Sequence, residues 1–216
     1  LKHISALFVF LRFLLIYRTM RTAALVLAAA VTAEAGPIYS KGFVRQPRNA
    51  YVPVAQITSS MRESAPDKLD YTGTKTSAVK NQGRCGSCWA FSATQGVESG
   101  IAMATGSLPV NLATQQLVAC DPNDGGCNGG DLPTAFDYIK SDGGLDSNAN
   151  YADTSSKWGF TGSCQSHGHV ATVVSASYAV PPCEGGRCRS QDESGLMAAL
   201  AEHGPLSVCV NAETFN

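Results

Sequence analysis

Charge is scarce in this sequence and nearly balanced: Lys and Arg number 16 against 17 Asp and Glu, so 15% of the 216 residues are charged and the formal net charge is -1. A protein that grips a phosphate backbone needs a basic excess gathered in a patch or stripe. None is present, and nucleic acid drops out as an expected partner. Membrane-length hydrophobic runs are also missing. The apolar stretch over residues 1–19 is interrupted by Arg12 and closed by Arg18, short of the unbroken run that a bilayer span requires. No stable membrane anchor is expected. The chain has no internal repeat and no low-complexity tract, which sets aside solenoids and linker-like proteins. It also lacks a second CxxC. Cys85 and Cys88 form the one such pair, and the remaining cysteines, at positions 120, 127, 164, 183, 188 and 209, keep no zinc-ligand spacing. No metal and no other cofactor is expected.

What the chain does have is apolar residues, 44% of its positions and enough to bury a core. It also has eight cysteines, more than a cytosolic protein usually keeps, which points to an oxidising compartment. A targeting signal should accompany them. Residues 20–35, MRTAALVLAAAVTAEA, supply one: a basic start, an apolar run from Ala23 to Val31 and the small-x-small ending Ala33-Glu34-Ala35. Met20 is therefore the expected start, with residues 1–19 as upstream read-through or an extension of the signal. Residues 36–64 are polar, carry Pro37, Pro47 and Pro53 and show no helical period, the texture of a short pro-segment or linker. Residues 65–216 hold all eight cysteines and most of the glycines, and form the expected globular part.

Periodicity predicts helices in the globular part. Trp89, Ala93, Val97 and Ile101 recur at i+4 from Cys88 to about Ala104, and Gly106 supplies a stop. Shorter helices are expected over Thr114–Val118, over Pro133–Lys140 with Gly143-Gly144 behind it, and over Ser194–Glu202 closed by Gly204-Pro205. The β-branched stretches Val170–Val180 and Leu206–Val210 read as strands. Helices gather early and strands late, which predicts an α+β fold rather than alternating βαβ units.

The CxxC itself lies in GRCGSCWAFS, Gly83 to Ser92, at the start of the longest predicted helix. A thioredoxin-type couple would follow a strand, in a chain with few other cysteines. Two readings survive on the residues alone. Either all eight cysteines are structural disulfide partners, or a nucleophile stands beside a structural cysteine.

The longer strings resemble the papain and cathepsin family of cysteine proteases. CGSCW at Cys85–Trp89 is a signature of that family, and Asn81-Gln82-Gly83 precedes it. QQLVAC at 115–120, GCNGG at 126–130, SDGGLDS at 141–147 and GPLSV at 204–208 follow in the family's order. The resemblance implies a two-domain papain-like fold, with a helical left domain, an antiparallel β-barrel right domain and the active cleft between them.

It also implies roles. Cys88 would be the nucleophile, active as thiolate because a helix N-terminus and an imidazolium favour the charged form. Gln82 would donate to the oxyanion together with the backbone N–H of Cys88. Cys85 would pair with Cys127 and Cys120 with Cys164. Gly129 and Gly130 would offer exposed backbone to an extended peptide. Asp131, Leu132 and Cys209 would line the second subsite, apolar overall with some preference for a basic residue. Cys183 and Cys188, around Glu184–Arg187, fall outside the pattern, and a small local disulfide is expected there. Tyr71 stands where relatives usually carry tryptophan.

The family's histidine and asparagine lie about 130–150 residues beyond the nucleophile, a window that opens past Asn216. The barrel is therefore expected to be incomplete and the chain, as it stands, inactive. His3, His167, His169 and His203 read as solvated residues rather than as the base. Expected partners are peptide and protein substrates, with a propeptide or cystatin-like inhibitors in the same cleft. Residues 36–64 are too few for the long helical propeptide of most relatives. The expected setting is the secretory pathway, lysosomal, vacuolar or extracellular. The competing expectation is a catalytically silent, cysteine-rich papain-like scaffold that serves as a binding module.

Overall fold

A computed structural model describes residues 55–181 and 192–210 of the chain. The expected signal peptide, most of the expected pro-segment and the Cys183–Cys188 stretch lie outside the described residues, and all those described belong to the compact unit Pro37–Asn216.

Six α-helices carry this part of the chain: α1 (Ser59–Ser64), α2 (Cys88–Thr105), α3 (Thr114–Cys120), α4 (Leu132–Asp142), α5 (Ser155–Trp158) and α6 (Glu193–His203), with a 3₁₀ turn at Gly126–Asn128. The central helix α2 has the predicted i+4 row turned inward, with Trp89, Ala93 and Val97 buried and Ile101 half-buried against them. It stops where Gly106 enters the left-handed region (φ 69°) and its N–H reaches back to the carbonyl of Ala102.

Small residues let neighbours come close to α2. A methyl group built on Gly96 would sit 3.2 Å from the Phe136 ring of α4 and 3.1 Å from the Ser207 hydroxyl. Leu112, Leu117 and Val118 from the α3 region, Ala135, Tyr138 and Ile139 from α4, and Leu145 complete one apolar core around Trp89.

Two helices were not legible as periodic segments. In α1, inside the stretch expected to be irregular, the Thr58 hydroxyl accepts from the N–H of Met61 and Arg62 forks onto both carboxylate oxygens of Asp192 at the start of α6. The Arg62 guanidinium holds the Asp192 carboxyl well below the usual carboxylate range. In α5 only four residues are helical. Six and four residues are too few to show a 3.6-residue period.

The strand expectation is the main correction. Among the described residues the only β pairings are isolated bridges, Thr72 with Thr76, Leu112 with Ser147 and Leu145 with Ala171. Val170, Val174, Val208 and Val210 are 60%, 82%, 55% and 63% exposed. β-branched composition favours a pleated surface only where another strand covers it, and here no ladder partner does. The described chain is thus the helical half of an α+β fold whose β half is incomplete.

Candidate active site

The site begins with a turn that ties Gln82 to the disulfide beside it. The N–H of Cys85 donates to the carbonyl of Gln82 at 3.3 Å, and the Gln82 side-chain amide donates back to the carbonyl of Cys85 at 2.9 Å. Cys85 is bonded to Cys127, Cys120 to Cys164, and the N–H of Gly86 reaches the carbonyl of Cys127 at 3.0 Å. One residue of this turn must be glycine. Gly83 has φ 57°, and a Cβ there would lie 2.2 Å from the carbonyl oxygen of Ser156 in α5. The same carbonyl accepts from the N–H of Arg84 at 2.9 Å, so α5 buttresses the turn from outside.

Cys88 is the first residue of α2, and Ser87 caps the helix without spending its hydroxyl on the first-turn N–H groups. Those N–H groups remain available to an anion. Burial nevertheless dominates and pushes the half-buried Cys88 thiol up, while bonds from the N–H groups of Trp89 and Cys88 itself pull the other way. A thiol becomes a strong nucleophile when a cation stands against it. Among the described residues no histidine hydrogen-bonds Cys88.

Behind Cys88, Trp89 is 2% exposed and donates its indole N–H to the carbonyl of Gly126 at 3.1 Å. A Cβ on Gly130 would collide with the Trp89 ring at 2.5 Å, so Gly130 packs directly against the indole. Here the structure departs from the expected substrate contacts. Gly129 and Gly130 are buried, not exposed, and Gly129 spends its N–H on Gly126 and its carbonyl on Gly125. Asp131 is 3% exposed and caps α4, accepting from the N–H of Leu132 at 2.9 Å, while its own N–H donates to Asp124. A buried capping carboxylate cannot offer a basic side chain a partner, so the expected basic preference at Asp131 is withdrawn. Leu132 is half-buried against the core and Cys209 is exposed on a segment that forms no ladder.

Several residues that position the site were given no role by the sequence. Glu98, fully buried on α2, takes Lys80, the Ser77 hydroxyl and the N–H of Leu112. This ties the segment leading into Gln82 to the helix that carries Cys88. A charged side chain in a helix otherwise filled with small residues was the available signal. Gln115 and Gln116 each bond three groups. Gln115 joins Thr161 to Thr154 and Ser155, and Gln116 joins Asp142 and Gly144 to Asp146. Asp121 and Asp124 sit together in the turn after α3. Burial first, and then the neighbouring Asp124 charge, push Asp121 up to about 7.

The expectation of solvated histidines needs correcting at His167. His167 is half-buried and its Nε2 lies 2.8 Å from Asp142 Oδ2, with His169 Nε2 at 3.1 Å from the same oxygen. His203 ends α6 exposed, as expected. Tyr71 is half-buried and donates its hydroxyl to the carbonyl of Leu200, a polar anchor for the ring.

Comparison with known proteins places this geometry. Residues 65–216 match the papain family cysteine protease domain. The chain is 43% identical to procathepsin L of Rattus norvegicus over 136 residues, which is 62% of this chain and 37% of that protein. It is 38% identical to cysteine proteinase 1 of Zea mays over 160 residues, 69% of this chain and 40% of that protein. It spans about two-fifths of the length of these curated relatives. Among solved structures, a digestive procathepsin L2 proteinase from Tenebrio molitor larval midgut superposes with a TM-score of 0.63 at 28% identity, covering 93% of this chain and 63% of that one. A recombinant stem bromelain precursor superposes with a TM-score of 0.58 at 27% identity, over 76% of this chain and 48% of that one. The chain belongs to the papain family of cysteine proteases.

Proposed function

We propose that the chain supplies the nucleophile side of a papain-type peptidase that hydrolyses internal peptide bonds. Cys88 attacks the scissile carbonyl carbon as thiolate. The carbonyl oxygen becomes an oxyanion that takes the Cys88 backbone N–H and the Gln82 amide, the amine leaves with a proton, and water then releases the acyl group from sulfur. The observation that carries this reading is the pairing of a helix-initiating cysteine with a glutamine fixed to the same turn. Gln82 spends one amide hydrogen on Cys85, and among the described residues nothing else takes the second.

The reaction needs an imidazole at Cys88 both to take the thiol proton and to protonate the leaving amine. His167 and His169 are committed to Asp142. The 216 residues alone are accordingly expected to be inactive toward peptides. Leu132 and Cys209 are our assignment for substrate contacts. A propeptide and cystatin-like proteins are the expected occupants of the same cleft. The two disulfides support folding in the secretory pathway, with a lysosomal, vacuolar or extracellular destination.

The test uses the protein as isolated from cells that make it, assayed with fluorogenic peptide amides. Cys88→Ala should abolish turnover, and Gln82→Ala should lower kcat by about 10²–10³ with little change in KM, as for loss of one oxyanion donor. A Gln82→Ala protein with raised KM and unchanged kcat would remove Gln82 from the oxyanion hole. Full turnover by Cys88→Ala would overturn the reading.

A further inference from the structure

Two of the histidines that the chemistry at Cys88 does not use converge on one carboxylate. His167 Nε2 and His169 Nε2 lie 2.8 and 3.1 Å from Asp142 Oδ2, and the ligand atoms of the three residues all fall within 4.8 Å of one another. A four-coordinate ion with bonds of about 2.0–2.1 Å holds its ligands about 3.3 Å apart, so a small rotation of each ring opens the space it needs. We propose that Asp142, His167 and His169 form a binding site for a divalent transition-metal ion of the zinc class.

The surroundings are built for a ligand rather than for a loose ion pair. His167 Nδ1 lies 2.8 Å from the carbonyl of Gln165, which can only accept, so Nδ1 keeps a proton and Nε2 is the nitrogen turned toward Asp142. Between Nε2 and the carboxylate oxygen a bound metal cation would take the place of a proton. Gln116 donates to Asp142 Oδ2 at 3.0 Å and sets the carboxylate in the same way. Asp142 is the last residue of α4, where the helix dipole favours a cation.

The loop bearing the two histidines is fixed at both ends. The Cys120–Cys164 disulfide precedes it, the N–H of Gly168 bonds Asp146 Oδ2 at 2.8 Å, and Val170 and Ala171 donate to the carbonyl of Leu145. A depression of about 310 Å³, lined by Tyr138, Asp142 and His167 among others, leaves room for water as the fourth ligand. Two histidines and one carboxylate with an open position suit zinc and its first-row neighbours. The nearby sulfurs of Cys120 and Cys164 are spent on each other and add no thiolate. A bound ion would fasten the 165–171 loop to the end of α4 and, through Gln116, to α3.

The inference is independent of the peptidase reading, and its readout is binding. The full chain carrying Cys88→Ala, freed of metal, is titrated with cobalt chloride while the visible absorption of the ion is followed, and zinc chloride is then added in competition. The expected result is a 1:1 tetrahedral-type cobalt band that zinc displaces. Zinc at 100 times its Kd should raise the apparent folding constant about 100-fold, read as a higher Tm. His169→Ala, at a residue exposed enough to be replaced without unfolding, and His167→Gln should each weaken binding at least tenfold, and His203→Ala should leave it unchanged. Circular dichroism reports whether each variant is folded. No 1:1 binding below about 100 μM metal, or binding that His169→Ala leaves intact, overturns the proposal, as does equal loss in His203→Ala.

Discussion

Glu98 is where the structure makes its sharpest energetic claim. Its carboxylate is fully buried, Lys80 is 18% exposed, and their N–O distance is 2.5 Å. Oε1 also accepts from the N–H of Leu112 at 2.8 Å, and Oε2 accepts from the Ser77 hydroxyl. Glu98→Ala removes all three bonds. Breaking a buried ion pair from one side costs about 3–5 kcal/mol, because the remaining charge loses its partner. Lys80 can relax toward water, while the Leu112 N–H cannot, so the lower end, about 3 kcal/mol, is expected. Glu98→Gln keeps an acceptor for Lys80 and Leu112 and turns its amide hydrogen toward the Ser77 oxygen, so it should cost only about 1 kcal/mol. Urea unfolding of the full chain measures both, and at roughly 2–4 °C per kcal/mol the alanine variant should melt roughly 6–12 °C lower. Equal effects of the two substitutions, or a loss under about 1 kcal/mol for alanine, would refute the pin between the Gln82 segment and the Cys88 helix.

Two further outcomes follow from the site's surroundings. Burial raises Asp121 to about 7, above the ordinary value of about 3.9 that it regains on unfolding, so the native state holds the proton more tightly. That contribution to stability is complete below about pH 4 and is lost as the pH rises toward about 7. Asp121→Asn should therefore gain stability relative to the parent as the pH is raised from 4.5 to 7.5 in urea titrations, and a constant difference would contradict the assignment. Gly83→Ala combines a left-handed φ with a backbone clash at Ser156. It should lower stability by more than the ~1 kcal/mol typical of glycine-to-alanine strain and should open the turn at Gln82 to amide hydrogen exchange; unchanged protection would show that the turn absorbs the methyl group.

What was legible in the sequence was local. The i+4 row of α2, the glycine stops at Gly106 and Gly143 and the ends of α4 and α6 can be read from neighbouring residues alone, and the helices extend only one or two residues beyond the expected limits. The expected strands failed because Val170–Val180 and Leu206–Val210 carry β propensity without saying who pairs with them. Asp131 was misread although the sign was present: an acid two residues before Pro133 is a helix cap, and the structure uses it so. The roles of Glu98, Gln116 and the His167–Asp142 contact join residues far apart in the chain, and no spacing rule reports such contacts. At Cys88, the proposed nucleophile, the sequence shows the helix start, but burial outweighing the helix N-terminus at the thiol needed coordinates.

The central claim is that Cys88 is the thiol this fold turns on a peptide. Its most direct test is to treat the protein as isolated from cells that make it with an epoxysuccinyl peptide and to map the modified cysteine by mass spectrometry. The account predicts an adduct on Cys88, formed fastest of all the thiols because its helix N-terminus and an imidazolium both favour thiolate, and formed more slowly in Gln82→Ala. An adduct that appears first on Cys209 or Cys183, with Cys88 untouched, would contradict it.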